Sequence, residues 1–238
     1  MDKIIYQTGT INSLLQGVYL GNKTVQQILH YGNFGLGTYD NVNGEMIVCD
    51  GVCYRANGQG QLEVANPKSY TPFGVVTKFL SQHQEEIGNY DFHGLEQHLL
   101  SVFPSQNLVY AIRVTGKFKI VNLRSEECFR NIEGQKLADV LPKMQNMFDL
   151  QQVEGVLVGV WYPEYMSRVN VAGFHFHFVD NARQSGGHVF GFELEAGTLD
   201  IQALHDVQIN LIESTAFEQA DLAGFHADSV AAVEKIRT

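Results

Sequence analysis

The stretch Gly173-Phe174-His175-Phe176-His177-Phe178 decides how this chain is read. Strict alternation of phenylalanine and histidine is the period of a β-strand, which sends both imidazoles to one face and the phenylalanines to the other. On a strand, residues i and i+2 lie about 6.5–7 Å apart at Cα, so two such imidazoles can converge on one metal ion. Downstream, the run from Val179 to Gly187 is turn-like in its middle and ends in a double glycine. A chain reversal there brings His188 beside His175 and His177. The resulting His-x-His-x10-His offers three nitrogen ligands on adjacent strands and leaves a position open to water or substrate, the pattern of a catalytic zinc site. The competing reading is of ordinary polar residues satisfied by hydrogen bonds. His30, His83, His93, His98, His205 and His226 form no comparable cluster.

Working outward, short strands bounded by glycine and asparagine dominate, with a few short helices between them. Helices are expected over Thr24–Tyr31, Phe92–Phe103, Leu137–Met147 and much of Ala216–Ile236. Strands are expected over Phe34–Tyr39, Glu45–Asp50, Val52–Arg55, Gln61–Ala65, Val153–Trp161, Phe174–Val179, His188–Glu193 and Val207–Ile212. Val109–Val114 and Lys117–Leu123 flank Thr115-Gly116, which reads as a hairpin turn. The fold class is α/β in the broad sense, a mixed α+β chain of two domains built on mixed sheets with short flanking helices. The polar stretch Glu126–Gln135 is the seam, giving an N-terminal domain over 1–130 and a C-terminal, metal-binding domain over 131–238.

Composition bounds the function. The 238 residues are 45% hydrophobic and 18% charged with only 5 prolines, which excludes a disordered chain and a collagen. The net charge of −10 lies almost wholly in residues 121–238, at −9 against −1 for residues 1–120. No basic face is available for nucleic acid, and an anionic ligand needs a local device such as a metal ion or a placed arginine. Cys49, Cys53 and Cys128 are odd in number and lack a second pair for a zinc site, so they read as thiols of a reducing compartment. The most apolar run, Gly155–Tyr162, falls far short of the roughly 20 residues that span a bilayer. The expected location is cytoplasmic, with no membrane partner. There is no G-x-S-x-G elbow, phosphate-binding loop or dinucleotide fingerprint.

Asn33-Phe34-Gly35-Leu36-Gly37-Thr38-Tyr39, Asn43-Gly44-Glu45-Met46-Ile47, Asp50-Gly51 and Tyr54-Arg55 resemble the N-terminal block of alpha-acetolactate decarboxylases. Phe174-His175-Phe176-His177-Phe178 with Ser185-Gly186-Gly187-His188-Val189 resembles the metal-binding block of that family. The resemblance implies a homodimeric, thiamine-independent, zinc-dependent lyase that converts 2-acetolactate to acetoin and carbon dioxide, in the branch leading to 2,3-butanediol. By matching position it implies His175, His177 and His188 as zinc ligands, Arg124 as the active-site arginine, Glu45 and Glu234 as active-site glutamates, and Thr38 as a pocket residue.

The chemistry fits those residue types. Loss of carbon dioxide leaves an electron pair for which the neighbouring ketone is the sink, so a metal Lewis acid removes the need for thiamine or a Schiff-base lysine. Arg124 suits the substrate carboxylate or the oxyanion, and Glu234, Glu45 or a water held by one of them suits the returning proton. Two other readings stand beside this one. A cupin-type metal enzyme also uses His-x-His, but wants a glutamate where this chain has Asp180, Asn181 and Ala182. A non-catalytic module stapled by zinc would need a fourth protein ligand to close the site.

Overall fold

Runs of β-branched and aromatic residues, punctuated by glycine and asparagine, pair here into long ladders rather than isolated hairpins. The computed structural model describes residues 3–128, 132 and 134–223. In chain order the strands and α-helices are β1 (Ile4–Thr8), α1 (Ile11–Leu15), β2 (Lys23–Thr24), α2 (Val25–Leu29), β3 (Phe34–Thr38), β4 (Glu45–Cys49), β5 (Val52–Ala56), β6 (Leu62–Val64), β7 (Tyr70–Thr71), β8 (Phe73–Thr77), β9 (His83–Asp91), α3 (Phe92–Val102), β10 (Val109–Glu126), α4 (Leu137–Met144), β11 (Gln145–Tyr162), β12 (Gly173–Asp180), β13 (Gly186–Leu204), β14 (Asp206–Asn210) and α5 (Thr215–Gln219). The fold is mixed α+β, mostly strand, as the sequence predicts.

Two large sheets carry it. The first runs β14-β1-β8-β3-β4-β5-β6, with β1 parallel to β14 and the other pairs antiparallel. In the second, β10 pairs with both β11 and β13 while β12 bridges β11 and β13, so the pairings return on themselves; β9 adds to the far end of β13. Apolar clusters pack on both faces of these sheets. Ile5, Phe34, Leu36, Ile47 and Val75 of the first sheet meet Val156, Val158, Val160 and Val179 of the second. On the other side of the second sheet, Phe174, Phe176 and Phe178 pack with Leu95 and Leu99 of α3. Leu14 of α1, Leu137 and Leu141 of α4, Phe73 and Val42 form a third cluster. Helix starts follow their caps: Thr10 and Thr24 each close a capping box, and Asp91 accepts from Gly94 at the start of α3.

Thr115-Gly116 is not a turn. It lies in the middle of β10, where Gly116 is flanked by Gly155 of β11 and Gly197 of β13. A Cβ on Gly116 would come within 2.6 Å of the Ala196 carbonyl oxygen, so this glycine serves the close approach of neighbouring backbones rather than a reversal. Leu137–Met147 divides at Met144, where α4 gives way to β11. Of the expected C-terminal helix, Thr215–Gln219 is helical and the remainder from residue 224 lies outside the described residues. Replacing Gly116 with valine is expected to destabilise the protein by about 1–3 kcal/mol through overpacking, read as a lower urea midpoint.

Candidate active site

The hairpin between β12 and β13 builds the centre. Asp180 Oδ1 accepts from the backbone N–H groups of Gln184 (2.7 Å) and Ser185 (3.1 Å), which closes the reversal that sequence anticipates. The register then sets His177 directly opposite His188, and His188 opposite Arg124 on β10. Directly paired residues share a face, so Arg124, His188 and His177 form one row across three strands, with His175 two residues from His177. The phenylalanines of β12 fill the core behind this row.

His175 Nε2 lies 3.2 Å from His177 Nε2 and 3.2 Å from His188 Nδ1. Ligand nitrogens on a tetrahedral ion at 2.0–2.1 Å stand about 3.3–3.4 Å apart, so the spacing fits one metal ion. The tautomer fits as well. His177 Nδ1–H donates to the Met46 carbonyl at 2.8 Å, which leaves the Nε2 lone pair aimed at the cluster. Burial, with the Arg124 charge adding to it, pushes His175 down to about 3; burial and His175 hold His177 well below the usual imidazole range. Both are therefore neutral at physiological pH, the form that ligates a metal.

The first sheet supplies the facing wall. Thr38 on β3 pairs in register with Glu45 on β4, and both are buried. Glu45 Oε2 reaches 3.3 Å from His177 Nε2, and the Thr38 hydroxyl donates to the Gly44 carbonyl at 3.0 Å. With Arg124 and the histidines they enclose a small pocket. Leu14, Val42, Phe73, Leu137 and Leu141 give it an apolar side. Val42, a β-branched residue, is held at a φ of 52°, a strained conformation at the rim of the site.

The structure thus brings together His175, His177, His188, Arg124, Glu45 and Thr38; Glu234 lies outside the described residues. One charged residue of the pocket, Glu126, is not among the site candidates drawn from sequence. Glu126 is 2% exposed, and its Oε1 sits 3.5 Å from Arg124 Nε. Its signal in the sequence is the i, i+2 spacing from Arg124, which the polar run that follows obscures. Burial pushes the Cys49 thiol up to about 11 and Cys53 to about 12, so neither is a thiolate at neutral pH, and Asp180 is committed to the turn.

The family model for alpha-acetolactate decarboxylase matches residues 5–224. The alpha-acetolactate decarboxylase of Klebsiella aerogenes is 37% identical over 232 residues, which cover 96% of this chain and 87% of that protein. The Bacillus subtilis (strain 168) decarboxylase is 36% identical over 219 residues, 92% of this chain and 85% of that protein. The crystal structure of alpha-acetolactate decarboxylase from Bacillus subtilis strain 168 superposes with a TM-score of 0.94 at 34% identity, covering 98% of this chain and all (100%) of that one. A Staphylococcus aureus structure, described as a protein of unknown function similar to alpha-acetolactate decarboxylase, gives a TM-score of 0.85 at 26% identity, with 97% of each chain covered.

A pH dependence follows from the buried imidazoles. The unfolded chain takes up a proton at each histidine near pH 6.5, whereas folded His175 stays neutral down to about 3. In that window the unfolded state binds more protons, so stability of the metal-free protein falls as pH drops below about 6.5. Urea midpoints of chelator-treated protein are expected to decline from about pH 7 to 5, and His175→Gln to flatten the slope. A slope unchanged by that substitution would contradict a neutral, buried His175.

Proposed function

The chain belongs to the alpha-acetolactate decarboxylase family, and from that premise we propose that its carboxy-lyase reaction runs on a zinc ion held by His175, His177 and His188. The observation that carries this is the convergence of three buried ring nitrogens, 3.2 Å apart across two contacts, at the floor of a pocket that also holds Arg124. The three-nitrogen set supports a metal with positions left for substrate, and its imidazole donors suit zinc. Zinc there supplies Lewis acidity, polarising the ketone and drawing off the negative charge that decarboxylation releases.

The chain's own residues do the rest. The substrate anion carries a carboxylate, a tertiary hydroxyl and a ketone on adjacent carbons. Arg124, buried and in line with His188, receives the carboxylate and holds the scissile carbon–carbon bond against the histidine face. When that bond breaks, carbon dioxide leaves and the electron pair passes into the ketone to give an enediolate. One proton must then be added to carbon, so that acetolactate anion plus a proton yields acetoin and carbon dioxide. Glu45, at 3.3 Å from His177 Nε2 in a site almost closed to water, is placed to hold that proton at Oε2. Thr38 lines the pocket beside it. The family resemblance adds Glu234 as a second carboxyl group for this step. The apolar side of the pocket receives the substrate's methyl groups and excludes water.

The family's homodimer and a cytoplasmic location complete the proposal. The second is supported by three free cysteines, two of them buried, and no described helix is long and apolar enough to cross a membrane.

Purified protein incubated with racemic acetolactate is expected to make acetoin, to contain near one zinc per chain, and to lose activity on chelation. His177→Ala is expected to abolish both zinc binding and turnover, and full activity in that variant would overturn the assignment. Arg124→Ala should lower kcat/KM on the order of a hundredfold or more with zinc content retained.

A further inference from the structure

Glu126 is a buried carboxylate inside the pocket to which the reaction described above gives no work. It stands two residues beyond Arg124 on β10, so both side chains leave the strand on the same face. Arg124 is 4% exposed and Glu126 2%, and the carboxylate Oε1 lies 3.5 Å from the guanidinium Nε. Both line the same pocket as the three histidines.

Decarboxylation makes an unusual demand on the cation that binds the substrate. In the ground state the carboxylate carries a full negative charge; at the transition state that charge is moving away from it, toward the ketone. A bare, buried guanidinium on the carboxylate would stabilise the starting state more than the transition state, which raises the barrier. An anion beside the guanidinium reduces that excess, because in a site of low dielectric its potential partly cancels the cation's at the substrate. We propose that Glu126 is a positioning residue that tempers the charge Arg124 presents to the substrate carboxylate, so that substrate is held without being trapped in its ionised form. This rests on the reading of Arg124 as the carboxylate's partner.

The test uses the zinc-loaded enzyme and two readouts. Calorimetry with 2-hydroxy-2-methylbutanoate measures hold on a carboxylate that lacks the ketone sink and cannot decarboxylate. Steady-state assay with acetolactate gives kcat and KM separately. Glu126→Gln, which keeps shape and removes charge, is expected to bind the probe several-fold more tightly, to lower KM, and to lower kcat by roughly tenfold, with zinc content unchanged. Glu126→Asp, which keeps the charge at greater distance, should shift both in the same direction by less, and it carries the test should the glutamine variant fail to fold. Weaker probe binding in Glu126→Gln, or an unchanged kcat, would overturn the role of Glu126 while leaving Arg124 in place. Unaltered kcat/KM and probe binding in Arg124→Ala alone would overturn the reading of Arg124 and this inference with it.

Discussion

The hydrogen bond from His177 Nδ1 to the Met46 carbonyl is the contact on which the site depends. It crosses from the second sheet to β4 of the first, so the strand that carries two of the histidines is anchored to the strand that carries Glu45. It also selects the tautomer, leaving Nε2 as the ligand atom. Met46 is itself held on both sides, by Gly37 of β3 and Arg55 of β5, so the acceptor cannot drift without disturbing the sheet. The buried valine and isoleucine layer between the sheets keeps this polar contact dry, which strengthens it and holds the imidazoles neutral.

Around that contact the electrostatics are arranged by burial rather than by overall charge. A chain of net charge −10 repels an anionic substrate at long range. Inside the pocket the balance reverses, because Arg124, with the metal proposed on the neutral histidines, would present positive charge at short range, where low dielectric makes it count. Glu45 and Glu126 approach this centre from different strands and different sides, one against His177 and the other against Arg124. Two carboxylates of the same type are thereby given separate partners, and through them separate work.

Much of this was legible in sequence. The alternation of Phe174 to Phe178 gave the strand, its two faces and the histidine pair, because period two is unambiguous when one face is aromatic and the other imidazole. The third histidine of the cluster followed from turn chemistry. Thr24 marked a helix start by its cap. What escaped was long-range. β1, β8 and β9 have no distinctive period, and pairing with distant partners makes them strands. Thr115-Gly116 looked like a turn because a glycine needed for close backbone approach is locally indistinguishable from one needed for positive φ. Glu126 was hidden in a polar run, since burial of a charge is decided by the helix that covers it. The Met46 carbonyl carries no side-chain signature at all.

The proposed mechanism needs three imidazole nitrogens, and no sulfur, on the metal. X-ray absorption at the zinc edge of the purified protein tests it directly. The account predicts a shell of nitrogen and oxygen scatterers at about 2.0–2.1 Å with the multiple scattering of three imidazoles, and the light-atom remainder changing when a substrate-like hydroxy acid is added. A sulfur shell near about 2.3 Å, or a site closed by protein ligands and insensitive to the acid, would contradict it.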